Sequence, residues 1–203
     1  MHPKNSTPSH RRRGAALEEA LLSAAWAVLR ENGYAGFTLE AVANRADTSR
    51  PVLARRWATR HDLLHATIAY AGTESPIRTP NTGSLREDMI ALLRQLNTRT
   101  DLAAVLGVQL GGYYQETGET LADLRDVILN GQDPVMASIL AAAVERGEAN
   151  PDRLTPLIRS LPADLLRHHV FMNLRPMPQE GLDEIIDTVF LPLVRRDGGA
   201  ADY

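Results

Sequence analysis

The chain has 203 residues, with 22 Lys or Arg against 25 Asp or Glu and a formal net charge of −3. The absence of cysteine excludes a disulfide framework, a thiolate metal site and a thiol nucleophile. No apolar run approaches the ~20 residues that a membrane span needs, and residues 1–13 are polar and basic with no signal-peptide core, so a cytoplasmic protein with no membrane partner is expected. Aromatic residues make up only 5% of the chain, and the abundance of alanine and leucine favours helix over strand.

Residues 1–13 are expected to form a disordered basic tail. Its run Arg11-Arg12-Arg13 has two readings, a basic arm reaching into a minor groove or a solvated charge run. The segment Phe37–Trp57 predicts two short helices joined by a tight turn. The first spans Leu39–Ala46, with Thr38 as its N-cap and Leu39, Val42, Ala43 and Ala46 at helical spacing. Asp47, Thr48 and Ser49 form the turn. Asp47 suits the left-handed position, because Asp tolerates positive φ better than most non-glycines. Ser49 caps the second helix and Pro51 fits its first turn. Leu53 and Trp57, four residues apart, anchor that helix inward, leaving Arg50, Arg55 and Arg56 to supply positive charge. Thr59 and Asp62 form a capping-box variant that opens the next helix.

This layout matches a helix-turn-helix placing its second helix in the major groove of DNA. Charge points the same way. Residues 1–60 hold ten Lys or Arg and five acids, whereas residues 61–203 hold twelve and twenty. A basic end on an acidic protein is the electrostatic footprint of a phosphate-binding module.

Residues 17–70 resemble the DNA-binding domain of the TetR family of bacterial transcriptional regulators. Leu17–Gly33 is similar to that family's first helix, ending in Glu-Asn-Gly-Tyr. Phe37-Thr38-Leu39 resembles the start of its second helix. Ser49-Arg50-Pro51-Val52-Leu53-Ala54-Arg55-Arg56-Trp57 resembles the recognition helix of an Arg-Arg-Trp subgroup, and Thr59–Leu64 the start of the fourth helix. Four positions depart from the pattern the resemblance implies. Ala54 stands where a tyrosine usually meets the DNA backbone, Val52 replaces a common threonine, Arg60 a usual lysine and Asp47 a usual glycine. The resemblance assigns DNA contact to Thr38, Thr48, Ser49, Arg50, Val52, Arg55, Arg56 and Arg60. Thr38, Thr48, Ser49 and Arg60 position the protein on phosphate, and the others reach base edges or flanking phosphates.

Residues 72–83, rich in Gly, Thr, Pro and Asn, predict a linker or long loop. Ser84 and Glu87 predict a capping box opening a helix with Met89, Leu92, Leu93 and Leu96. Further helices are expected over 101–115, 118–130, from Asp133-Pro134 to Gly147, over 152–173 with a break near Pro156 or Pro162, and over 179–196. The fold expected is all-α. It comprises a three-helix helix-turn-helix DNA-binding domain over 14–60 and a helical ligand-binding and dimerisation domain over 61–203.

The resemblance implies operator DNA, a small-molecule effector and a homodimeric partner. Candidate ligand residues, apolar with a few polar groups, are Gln95, Leu96, Leu106, Gln109, Leu110, Tyr113, Tyr114, Met136 and Leu140. Candidate dimer residues are Leu161, Leu165, His168, Met172, Leu182, Ile185, Ile186, Val189, Phe190 and Leu193, with ordinary core as the other reading.

Catalysis is not expected. There is no Gly-x-Ser-x-Gly, phosphate loop or dinucleotide fingerprint, and no cofactor is called for. His61 and His65 lie four apart, a spacing that can grip zinc. No Glu follows His61, so the protease pattern is missing and a solvated helix face is expected, with no metal. The rival reading is a helical DNA-binding protein without small-molecule effector control.

Overall fold

A computed structural model of the chain describes residues 9–73, 76–99, 102, 104–124 and 134–195, the first five as backbone only. All regular secondary structure among them is helical. The chain divides into two units, Met1–Ser75 with Val105–Gly131, and Pro76–Ala104 with Gln132–Tyr203. The boundary expected at residue 60 instead falls on the first residue of a helix, and a stretch from the middle of the chain joins the N-terminal unit.

The first unit is built on α1 (Ser9–Gly36), which contacts α2 (Leu39–Arg45), α4 (Arg60–Thr73), a π-helical segment (Val105–Gln109) and α6 (Gly111–Thr117). α3 (Arg50–Ala54) packs on α2. Leu21, Leu22, Ala25, Trp26, Val28 and Leu29 are buried on α1, the three-and-four spacing of a helix with one face to the core. The helical path breaks at Gly33, whose φ of 62° is open to glycine at no steric cost. The chain beyond it turns Tyr34 and Phe37 inward, both buried. α1 thus starts earlier than the expected Leu17, and its regular path ends at the expected glycine. The tail expected over 1–13 overlaps α1 from Ser9, and residues 1–8 lie outside the described residues.

The second unit packs α5 (Leu85–Asn97), α7 (Pro134–Glu145), α8 (Pro156–Asn173), α9 (Gln179–Glu184), a π-helical segment (Ile185–Phe190) and α10 (Leu191–Val194). Its core joins Met89, Leu92 and Leu93 to Met136, Ile139, Leu140, Leu166, Val170, Leu182, Ile186 and Phe190. Each such aliphatic or aromatic side chain contributes roughly 1.5–3 kcal/mol of hydrophobic stabilisation. The i→i+5 turn of a π-helix brings Ile185 and Phe190 onto one face, and both are buried. Gly147 ends α7 as expected, at φ 77°. α8 begins at Pro156 after a break, capped by Thr155 Oγ1, and runs uninterrupted through Pro162. Of the helix expected over 118–130, residues 121–124 are helical and 125–130 lie outside the described residues, as does Asp133.

The capping box expected at Ser84 and Glu87 is not formed. The Ser84 side chain makes no capping bond, and Glu87 instead accepts from Arg86. Glu148, from beyond α7, takes over by accepting from the Leu85 amide at 2.6 Å. A tertiary carboxylate thus satisfies a donor that the local sequence leaves open. Asp88, fully buried, accepts from the Thr82 amide at 2.6 Å and its hydroxyl at 2.8 Å, and from Arg146 at 3.3 Å.

Candidate nucleic-acid interface

The helix-turn-helix assembles from local chemistry. Thr38, extended at φ −121°, accepts from the Ala41 amide at 3.0 Å and starts α2. Val42 and Ala43 are buried beneath it. Asp47 takes the left-handed conformation, φ 48°, as expected. The Thr48 amide then donates back to the Ala43 carbonyl at 3.0 Å, which closes the turn. Ser49 occupies the N-cap of α3 in extended geometry, yet its hydroxyl makes no capping bond. Leu53 and Trp57 are buried and pin the short α3. Thr38, Ser49, Arg50, Arg55 and Arg56 are exposed, and Thr48 and Val52 are half-buried.

Charge on this face is unevenly compensated. Arg45 makes a two-pronged bond to Glu31 at 2.8 and 2.7 Å. The Arg45 side-chain bonds hold the Glu31 carboxyl below its ordinary range. Arg50, Arg55 and Arg56 make no ion pair with any described residue. Arg60, the eighth candidate, is differently placed. Its guanidinium lies 3.8 Å from the centroid of the Tyr34 ring and donates to Glu116 at 2.7 Å. Tyr34 also donates to Glu116, at 3.1 Å. Of the eight residues, seven line the α2–turn–α3 surface, while Arg60 is engaged within the fold.

Comparison with known proteins fits this arrangement. Residues 21–67 match "Bacterial regulatory proteins, tetR family", and residues 79–189 match "Tetracyclin repressor-like, C-terminal domain". The chain is 31% identical over 186 residues to a DNA-binding transcriptional repressor TetR of Mycobacteroides abscessus, covering 90% of this chain and 96% of that one. The chain belongs to the TetR family. An uncharacterized HTH-type transcriptional regulator of Mycobacterium bovis is 28% identical over 188 residues, 90% of each chain. A TetR transcriptional regulator from Agrobacterium tumefaciens shares the fold with a TM-score of 0.70 at 18% identity, covering 89% of this chain and 95% of that one. The fatty acid degradation regulator FadR from Bacillus halodurans does so with a TM-score of 0.63 at 18% identity, covering 98% and 100%. As a TetR-family member the protein is a DNA-binding transcriptional regulator and not an enzyme. No helix among the described residues is long and apolar enough to cross a membrane.

The candidate ligand residues of this TetR-family chain are divided between the two units. Leu106, Gln109, Leu110, Tyr113 and Tyr114 belong to the first, and Gln95, Leu96, Met136 and Leu140 to the second. Leu106, Leu110, Tyr113, Met136 and Leu140 are buried, and Leu96 packs against the second core. Gln95 bridges both polar backbone groups of Arg78, at 2.8 and 2.9 Å. Tyr114 donates to the Leu106 carbonyl at 2.6 Å, and burial pushes its hydroxyl up to about 12. Gln109 donates to the Arg30 carbonyl at 3.1 Å, while its own Oε1 is buried without a partner among the described residues. An open cleft of about 300 Å³ in the second unit is lined by Ser84, Arg86, Glu148 and Arg195 among others, and contains none of the nine.

The dimer candidates separate by face. Leu182, Ile185, Ile186 and Phe190 are closed into the core of their own unit. On α8, Pro162, Leu166 and Val170 point inward, whereas Leu157 (73% exposed) and Met172 (70%) lie on the opposite stripe. Leu161 is half-buried on that stripe and His168 is exposed, whereas Leu165, also half-buried, packs against the core of its own unit. Val189 is half-buried, and Leu193 is 41% exposed.

One cluster is not foreshadowed by the sequence. His61 and His65 do not form a solvated face but are half-buried against Tyr113 and Glu119. The spacing of the two histidines is visible in the sequence. Tyr113 and Glu119 lie 48 and 54 residues beyond His65, where no local pattern connects them.

Proposed function

We propose that the chain is a homodimeric, cytoplasmic repressor that holds operator DNA through α2, the Asp47–Ser49 turn and α3, and releases it on binding a small molecule. The observation that carries the proposal is the exposed, uncompensated trio Arg50, Arg55 and Arg56 on a helix pinned from below by Leu53 and Trp57. Thr38, Thr48 and Ser49 offer phosphate contacts, the free Ser49 hydroxyl among them. Val52 offers an apolar surface to a thymine methyl, within an Arg-Arg-Trp recognition helix. Arg60 contributes to phosphate binding only by leaving Glu116.

Two such helices meet successive major grooves when they lie about 34–36 Å apart. The outward stripe Leu157, Leu161, His168 and Met172, with Val189 and Leu193, is the surface through which two copies would pair. An effector acts by preferring a dimer whose heads leave that spacing, with a coupling of about 1–3 kcal/mol. The orphan Gln109 Oε1 is the polar group offered to it, beside Leu106, Leu110, Tyr113 and Tyr114. The closed packing of Leu106, Leu110, Tyr113, Met136 and Leu140 favours a second reading, DNA binding without effector control.

The test is fluorescence anisotropy on DNA from the upstream intergenic region, with a scrambled duplex as control and at two salt concentrations. Selective, salt-dependent binding is expected. Arg55→Ala with Arg56→Ala should weaken it by about 1–3 kcal/mol for each guanine that goes unread, and should flatten the salt slope by about one for each phosphate left without its arginine. Wild-type affinity in the double variant would overturn the assigned surface. Release of the DNA by no compound in a small-molecule screen would favour the second reading.

A further inference from the structure

We infer that His61, His65 and Glu119 form a binding site for a divalent first-row transition metal of the zinc class. The two histidines sit one helical turn apart near the start of α4, so both rings leave the same face, with centroids 4.2 Å apart. Glu119, just beyond the left-handed Gly118 that ends α6, brings its carboxylate between them. Its Oε1 lies 3.2 Å from His61 Nε2 and its Oε2 3.2 Å from His65 Nε2. One ligand atom from each residue can be chosen so that all three lie within 4.8 Å of one another. A tetrahedral zinc ion with bonds of about 2.0–2.1 Å holds its ligand atoms about 3.3 Å apart, so the two Nε2–Oε distances already match and the widest pair closes by up to about 1.5 Å on binding.

The chemistry of the donors narrows the ion. Two imidazoles and one carboxylate, with no thiolate, suit Zn(II), Co(II) or Ni(II) and not the all-oxygen shells of magnesium or calcium. Three protein ligands leave a fourth position for water or an exogenous group. Tyr113, fully buried, donates from Oη to Glu119 Oε2 at 2.6 Å, the supporting role that orients metal ligands, and its 2.8 Å contact with His65 Nε2 is what an ion at that nitrogen would replace. Tyr34 braces the Tyr113 ring edge-on, with centroids 5.3 Å apart. The ion would tie α4 to the turn after α6 within one unit, and the inference is independent of which DNA the chain reads.

The experiment uses the full chain, stripped with a chelator and titrated calorimetrically with Zn(II), with Co(II) as a spectroscopic probe. One Zn(II) per chain is expected, together with strong visible Co(II) bands of four-coordinate geometry. His61→Ala, His65→Ala and Glu119→Gln should each weaken uptake by about tenfold or more. His169→Ala should leave it unchanged. Thermal melts confirm that the variants are folded, and Glu119→Gln keeps the shape of the site should a histidine variant not fold. Absence of Zn(II) uptake, uptake indifferent to these residues, or uptake abolished by His169→Ala would each overturn the site.

Discussion

Thr38 shows how much one side chain settles at the DNA-reading head. Its hydroxyl satisfies a first-turn amide of α2, a helix of only seven residues. Thr38→Ala should therefore cost about 1 kcal/mol, within the roughly 0.5–2 seen for N-caps, read as a lower urea midpoint at unchanged slope. Residues of this kind are legible in the sequence because their chemistry is local. Thr38, Asp47 at positive φ and the Thr59–Asp62 capping pair all answer to neighbours within a few positions. Arg60 is not legible, because what occupies it lies 56 residues away in Glu116. Sequence spacing can assign a charge to a surface, but only the fold shows whether an acid has reached it.

At the scale of elements, short periodic helices with strong stop signals are legible, and their tertiary substitutes are not. Gly147 and Pro156 mark helix ends in both sequence and structure. The start of α5 differs, since a local capping box gives way to Glu148. Burial raises that carboxyl's pKa, but bonds from Arg146 and the Leu85 amide outweigh it and hold the group below its ordinary value of 4.5. A depressed carboxylate contributes stability that is present above its unfolded value and lost as pH falls through its folded one. Wild-type stability should therefore fall as pH drops below 4.5, and Glu148→Gln should be less stable at pH 7 and flatter through that acid window. Urea midpoints of the two chains, followed from neutral pH into that window, check the sign. Equal slopes would remove Glu148 from the acid response.

For the whole molecule, an all-helical chain with a basic head is legible from composition and charge. The division into units is not, because it follows contacts that carry the stretch from Val105 back to the N-terminal helices. The proposed pairing surface makes a sharp demand. Met172 is 70% exposed, so Met172→Glu should leave the fold intact and turn a dimer into a monomer, as read by sedimentation velocity. An unchanged sedimentation coefficient would move the interface off α8. The reading head has a consequence for descent. α2 and α3 have seven and five residues, well under the ~12–15 at which a helix stands alone. They persist only through what they bury, Val42, Ala43, Leu53 and Trp57. Arg50, Ala54, Arg55 and Arg56, all exposed, carry none of that burden. If these residues read the operator as proposed, mutation can rewrite them without threatening the fold, and a lineage of this protein would be free to exchange the genes it governs while inheriting the same scaffold.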